Sequence, residues 1–303
     1  MRILVTGTSG FLGWNLARHL LANDQEVHGA VWDHPGPLDI PNHPLDLTSP
    51  DSIRRLIQTL RPDAVIHCAA MSRGDDCEID PELARRINAE AVAHLADVLA
   101  ETDGHLVHCS TDLVFDGTHP PYREDDPPSP RHAYGRSKAA GEEAALAARG
   151  PAAVARLALL FGDGSPASGS FLRWLDAGLR TGKGVTMFRD EIRTALYVED
   201  AAAALLEIVH RRWTGLIHLA GPESMSREEF ARLYAITFDL DASLIQSASL
   251  AEAGGTIYRP PNVSLEISLA RNELGFNPLN TEQALTHLRK QREKTPGQSS
   301  RQD

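Results

Sequence analysis

Short apolar runs alternate with stretches of helical periodicity through the first half of the chain. Ile3-Leu4-Val5 is a continuous apolar run, and Phe11 to Leu21 carries apolar residues at helical spacing. Glu26 to Trp32 reads as a second strand. A proline-rich connection from Pro35 to Pro44 leads to Asp46-Leu47-Thr48, and Ser49-Pro50-Asp51 then offers a capping residue and a proline at a first helical position. Ala64 to His67 reads as strand three, Pro81 to Ala100 as a long helix, and Leu106-Val107-His108 as strand four. Tyr134 to Ala148 carries the next helix and Ala153 to Leu160 a further strand. These strands are apolar at consecutive rather than alternate positions, as expected where helices cover both faces of a sheet. The pattern predicts an α/β protein on a doubly wound parallel sheet of the Rossmann type.

After Phe161 the rhythm changes. Gly162 to Pro166 reads as a loop and Leu216 to Leu219 as one more strand of the same sheet, while Ser226 to Phe238 and Leu265 to Gly275 fit no βα repeat. The expected organisation is a dinucleotide-binding domain over residues 1–160, completed by about 193–220. A smaller, discontinuous substrate-binding lobe, 161–192 and 221–290, would pack over the carboxyl ends of the strands. Residues 291–303 are polar, lack apolar periodicity and are expected to form a disordered tail.

A net charge of −11 argues against non-specific partnership with nucleic acid or an anionic membrane, but a local group of arginines can still take a phosphate-bearing ligand. The three cysteines form no CxxC, no Cys/His spacing resembles a zinc site, and no sufficient metal-ligand set is apparent. So sparse and odd a count suits a reducing compartment. Cys68 and Cys109, at the ends of strand-like runs, read as small core residues. Met1 runs straight into a strand, and no apolar run approaches the ~18 residues needed to span a bilayer, so a cytoplasmic location is expected.

Chemistry enters with two motifs. Gly7, Gly10 and Gly13 follow a strand and open a helix, the setting in which a glycine pattern binds pyrophosphate; a plain tight turn is the alternative. Some 120 residues later come Tyr134 and Lys138, which at i and i+4 share a helix face, so that the ammonium can stabilise the phenolate and lower the tyrosine pKa toward that of a working general acid. Ser110-Thr111-Asp112 ends strand four at the edge where open α/β sheets bind ligands, although such groups also satisfy strand-end backbone. Singly, Tyr134 and Lys138 read as ordinary helix residues; with the glycine turn in the same chain they describe one oxidoreductase site. Asp33, 20 residues beyond Gly13, stands near where an acidic side chain holds a ribose 2′-hydroxyl, and no Arg or Lys occurs between Arg18 and Arg54. This favours NAD(H) over NADP(H) unless Asp33 merely caps its turn. Asp46 could reach the adenine or serve as a loop polar residue.

These residues resemble the extended short-chain dehydrogenase/reductases, and among them the dTDP-4-dehydrorhamnose reductase family. The matching segments are Thr6-Gly7-x-x-Gly10-x-x-Gly13, Asp46-Leu47, His67-Cys68-Ala69-Ala70, Ser110-Thr111-Asp112-x-Val114-Phe115-Asp116-Gly117, Tyr134-Gly135-x-Ser137-Lys138-x-x-Gly141-Glu142 and Arg259-Pro260-x-Asn262-x-Ser264-Leu265. The resemblance implies that Thr111, Tyr134 and Lys138 form the catalytic set. Tyr134 would protonate a carbonyl oxygen as hydride arrives, Thr111 would hydrogen-bond that oxygen, and Lys138 would lower the tyrosine pKa and hold the nicotinamide ribose. It implies a cofactor site of Gly7, Gly10, Phe11, Leu12, Gly13, Asp33, Asp46, Leu47, Cys68, Ala69, Ala70 and Asn88, together with Tyr134 and Lys138. Ser72, Thr111, Asp112, Arg193 and Arg259 would face a nucleotide-sugar substrate. Leu113 replaces a usual tyrosine, and Met71-Ser72 a usual aromatic-threonine pair, so the substrate wall is altered and a nucleotide-activated 4-keto sugar is the expected class. Members of the family can use a magnesium ion between subunits; a homodimer is left open. The family also contains the regulatory subunit of methionine adenosyltransferase, which Phe115 to Glu124 resembles as well, so a non-catalytic dinucleotide-binding role is the alternative.

Overall fold

The computed structural model describes residues 1–294 apart from 33, 35–37, 166–168, 253, 255 and 256. Strand β1 (Arg2–Thr6) turns into helix α1 (Phe11–Ala22) and is followed by β2 (Glu26–Val31), β3 (Asn42–Pro44), α2 (Pro50–Leu60) and β4 (Ala64–His67). Next come α3 (Gly74–Ile79), α4 (Pro81–Arg85), a π-helical turn (Arg86–Glu90), α5 (Ala91–Ala100), β5 (His105–Thr111), α6 (Ala133–Leu146) and β6 (Ala152–Leu157). The chain continues through β7 (Leu160–Phe161), α7 (Phe171–Arg180), β8 (Val185–Phe188), β9 (Ile192–Arg193), β10 (Leu196–Tyr197), α8 (Val198–His210) and β11 (Gly215–Leu219). It ends with β12 (Met225–Ser226), α9 (Arg227–Thr237), β13 (Ile245–Ala248), α10 (Ser268–Leu274) and α11 (Thr281–Lys294).

Seven parallel strands form the central sheet in the order β3-β2-β1-β4-β5-β6-β11. Successive side chains of a strand point to opposite faces. Ile3, Val5, Ile66 and Val107 pack with Leu16, Leu20 and Leu205 on one face. Leu4, Val65, Leu106 and Val154 pack with Ile53, Ile57, Leu95 and Leu99 on the other. Both faces are dry, which is why the strand sequences are apolar without alternation. The strand order reverses between β1 and β4, and that switch point opens a crevice at the carboxyl ends of the strands.

A separate core gathers Phe161, Leu172, Leu175, Tyr197, Phe230, Tyr234, Leu285 and Leu288 from segments far apart in the chain. Three two-stranded sheets, β10-β7, β12-β9 and β13-β8, tie those segments together.

Several expectations are corrected. The connection running to Pro44 ends in β3, where a proline is tolerated because the strand lies at the sheet edge. The run from Ala153 to Leu160 is not one strand: β6 stops at Leu157, and Leu160–Phe161 leaves the sheet to pair with β10. The long helix from Pro81 to Ala100 is broken by the π turn, whose extra residue per turn no apolar period reveals. Gln291 to Lys294 belong to α11 rather than to a disordered tail. There the Tyr197 hydroxyl donates to Gln291 Oε1 at 3.1 Å and Arg292 pairs with Asp163, polar contacts to which hydrophobic patterning is blind. Residues 295–303 lie outside the described residues.

Candidate active site

A cavity of about 1050 Å³ occupies the switch-point crevice. Its first wall is the β1–α1 turn. Gly7 has φ +74°, and a Cβ on Gly13 would collide with the Gly7 carbonyl, so α1 can start this close to the strand only with glycine there. Gly10 precedes α1 without a side-chain cap, and no acidic residue stands in the first turn. The leading N–H groups and the positive end of the helix therefore face the cavity between Gly10, Phe11 and Leu12, a fit for pyrophosphate.

The rim beyond this turn is formed by Ala30, Val31 and the exposed Trp32, by Asp46, Leu47 and Thr48, and by Leu83, Arg86 and Ile87. Asp33 lies outside the described residues. Asp46 lines the cavity, but its Oδ1 accepts from the Thr48 N–H at 2.8 Å and the Thr48 hydroxyl at 2.7 Å, a loop-holding role. Arg86 was not foreseen. It is the first residue of the π turn and lines this rim, where its Nη2 donates to the Thr48 carbonyl at 3.3 Å. Arg86 comes from an element more than 50 residues beyond β2, so the sequence around β2 carries no sign of it.

Cys68, Ala69, Ala70, Met71 and Ser72 form the wall after β4. Cys109 belongs to the core and Cys68 packs against it, as expected, and both also line the cavity, with their sulfurs 3.7 Å apart. Asn88 does not line it. Fully buried behind the wall, Asn88 accepts from the Met71 N–H at 2.9 Å and donates to the Met71 carbonyl at 3.0 Å and to Ser137 Oγ at 2.9 Å.

Thr111, Tyr134 and Lys138 meet at the same cavity. The Thr111 hydroxyl donates to Asp112 Oδ1 at 3.2 Å and accepts from the Leu113 N–H at 3.2 Å. Lys138 is buried; its ammonium donates to the Cys109 carbonyl at 2.7 Å and lies 3.2 Å from His108 Nε2. Burial pushes its pKa down to about 8, against upward pulls from Cys109, Glu142 and Cys68. Burial, and then the Asp112 charge, push Tyr134 above its ordinary value, with the Thr111 hydrogen bond working the other way.

Charged side chains crowd the far end. Asp112 is buried, its Oδ2 has no hydrogen-bond partner among the described residues, and burial raises its pKa to about 6 against the pull of Arg193. Arg193 and Glu191, both buried, pair at 3.0 Å. Arg227 lines the cavity with its guanidinium 3.5 Å from the centre of the Phe171 ring, and burial pushes its pKa down to about 10. Of the two arginines expected here, Arg193 lines the cavity and Arg259 does not; Arg259 is 57% exposed and 3.8 Å from Glu191. The missed residue, Arg227, had a local signal. Ser226 and Glu229 form a capping box that starts α9 at Arg227, and pairing of β12 with β9 sets Met225 opposite Arg193. Ser72 and Leu113 also line the cavity. Among the described residues no group of three or more His, Cys, Asp or Glu side chains could hold a metal ion, and no helix is long and apolar enough to cross a membrane.

A seven-stranded parallel sheet with a glycine turn, and a Tyr/Lys pair at its switch point, defines the extended short-chain dehydrogenase/reductase class. Residues 1–293 match the model of the RmlD substrate binding domain, and the chain belongs to that family. It is 32% identical over 291 residues to the probable low-salt glycan biosynthesis reductase Agl14 of Haloferax volcanii, covering 95% of this chain and 97% of that one. Over 273 residues it is 34% identical to methionine adenosyltransferase 2 subunit beta of Xenopus tropicalis, covering 88% and 80% of the two chains. The crystal structure of dTDP-4-dehydrorhamnose reductase from Bacillus anthracis in complex with NADP superposes with a TM-score of 0.85 at 26% identity, covering 96% of this chain and 99% of that one.

Proposed function

We propose that the chain is an NAD(P)H-dependent reductase of a nucleotide-activated 4-keto sugar, with Tyr134 as the proton donor. The observation that carries this reading is the convergence of Thr111, Tyr134 and Lys138 on one cavity, bounded by the uncapped start of α1 and by Asp112, Arg193 and Arg227. Gly7, Gly10, Phe11, Leu12 and Gly13 would hold the pyrophosphate, and Cys68, Ala69 and Ala70 would form the wall beside the nicotinamide. A bound reduced nicotinamide supplies the hydride. Tyr134, held protonated by its surroundings, is suited to give its proton to the developing alkoxide. Thr111 Oγ1, oriented by the Leu113 N–H and Asp112, would hold the same oxygen, and the Lys138 ammonium would stabilise the phenolate left behind. Arg193 and Arg227 are cationic donors suited to a diphosphate. Arg86, at the adenosine end of the cavity, supplies a cation for a 2′-phosphate, so the lean toward NAD(H) rests on Asp33 alone. Three free cysteines are consistent with a cytoplasmic setting.

A second reading, a dinucleotide-binding regulatory subunit without turnover, is favoured by the similarity to the methionine adenosyltransferase subunit. Calorimetric titration with NADH and NADPH, followed by a panel of nucleotide 4-keto sugars monitored by loss of reduced-nicotinamide absorbance, separates the two. Turnover of any panel member, reduced about 10²–10⁴-fold by Tyr134→Phe with dinucleotide affinity within a few-fold, is expected for the reductase. Tight dinucleotide binding with no turnover supports the regulatory reading.

A further inference from the structure

His108 lies on β5, fully buried, one residue before the backbone carbonyl that receives the Lys138 ammonium. Its Nε2 is 3.2 Å from Lys138 Nζ. The imidazole also stacks on His67, its neighbour across the β4–β5 ladder, with ring centroids 5.6 Å apart. His67 Nδ1 in turn lies 2.8 Å from the Thr6 hydroxyl on β1. A polar string therefore runs from the β1 turn, through two stacked histidines, to the lysine of α6. Burying an imidazole is costly, and His108 Nδ1 and His67 Nε2 have no hydrogen-bond partner among the described residues, so an apolar residue would fill this interior position at less cost and the one polar contact left to the His108 ring is that of Nε2 with the lysine.

We propose that His108 is a positioning residue for Lys138. Its Nε2, kept as an unprotonated acceptor, takes one ammonium N–H, holds the lysine against β5 and sustains its positive charge inside the protein.

The surroundings make this contact matter. Around the ammonium stand His108 and Cys109 from β5, His67 from β4 and Cys68 just after it, and Glu142 from its own helix. Burial and its contact with Cys109 keep the Cys68 thiol far from ionising. The Glu142 carboxylate is already committed to Arg156 in a buried ion pair at 2.7 Å and to the Ser110 hydroxyl. Burial and the lysine charge hold His108 well below the ordinary histidine range, so its Nε2 remains an acceptor at neutral pH. The lysine is thus held by one carbonyl and one neutral imidazole. Removing that imidazole makes the ammonium harder to keep, so the Lys138 pKa falls. A lysine is charged below its pKa, and the charge that supports the tyrosinate would then be lost sooner as pH rises. This last link rests on the reductase reading; the titration of the lysine does not.

The chain has four lysines, at positions 138, 183, 290 and 294, so full-length protein labelled with ¹³Cε-lysine gives four resonances, and Lys138→Met identifies the one of interest. Titrating the wild type, His108→Leu and His108→Gln tests the proposal. The Leu variant is expected to move the Lys138 midpoint down by about one pH unit, and Gln, whose amide oxygen accepts, to recover most of the wild-type value. Equal midpoints in wild type and His108→Leu, or equal shifts in Leu and Gln, would overturn it. If His108→Leu does not fold, ¹⁵N-histidine spectra of the wild type decide instead. An unprotonated Nε2 on His108 supports the proposal, and an Nε2–H tautomer overturns it. In a protein that turns over, the alkaline limb of kcat/KM should move with the lysine midpoint. Absence of wild-type turnover would refute the reductase reading while the lysine titration still decides the role of His108.

Discussion

At the α1 end of the cavity the wall is backbone and small side chains: Gly7, Gly10, Gly13, Ala69 and Ala70 leave peptide groups exposed to a ligand. At the opposite end the wall is charge: Asp112, Glu191, Arg193 and Arg227 converge from three separate segments and partly neutralise one another. The first surface is defined by what cannot fit. The second is defined by which charges find partners. The two should therefore fail differently: a single methyl group destroys the first, whereas the second degrades by one interaction at a time.

The largest effect is expected from Gly13→Ala. Its Cβ would meet the Gly7 carbonyl, so α1 must move away from the turn, and dinucleotide affinity in a calorimetric titration should fall by about 100-fold or more, with loss of thermal stability. Retention of wild-type affinity would show that the helix start is not the pyrophosphate site. Arg227→Ala comes next: loss of one charge-assisted donor should raise KM for a nucleotide sugar by about 10–100-fold and leave dinucleotide affinity unchanged. Arg259→Ala, outside the cavity lining, should change the same KM less than about twofold. The reverse ranking would mean that the far wall is assigned to the wrong arginine.

The most diagnostic change is Asp112→Asn. Folding raises this carboxyl from 3.8 to about 6, so the folded chain keeps a proton that the unfolded chain releases between those values. Stability contributed below pH ~4 is thus lost as pH rises through ~6. Asparagine removes that loss. Thermal or denaturant unfolding should show Asp112→Asn more stable than wild type by about 2 kcal/mol at pH 8 and no more stable at pH 4, with slower turnover. A variant less stable at pH 8 would mean that the Arg193 and Arg227 charges outweigh the cost of burying Asp112.

Much of this site was legible from short-range patterns. The glycine turn is contiguous and sits between a strand and a helix, and Tyr134 and Lys138 are one helical turn apart, so their proximity needs no tertiary information. Thr111 ends β5 at the same edge of the sheet. What escaped was direction. Arg193 and Arg259 are both arginines expected to face the substrate, yet the β12–β9 pairing directs Arg227, not Arg259, into the cavity beside Arg193. Arg86 begins the π turn and reaches the cavity rim beside Thr48, a place that no hydrophobic signature marks. His108 and Asn88 lie in stretches whose apolar neighbours made them look like core, and only packing shows that Asn88 braces Met71 and Ser137 and that His108 turns its Nε2 to Lys138.

By itself the sequence determined the alternation of strand and helix, the dryness of both sheet faces, and the place where a helix begins bare behind a glycine turn. Each follows from side-chain period or backbone sterics within a few residues. The tertiary structure alone decided which buried charges oppose one another, that the Lys138 ammonium lies beside His108, and which arginines face the cavity. These depend on distances of a few ångströms between residues up to about a hundred positions apart, where hydrogen-bond geometry and desolvation, rather than local pattern, set the outcome.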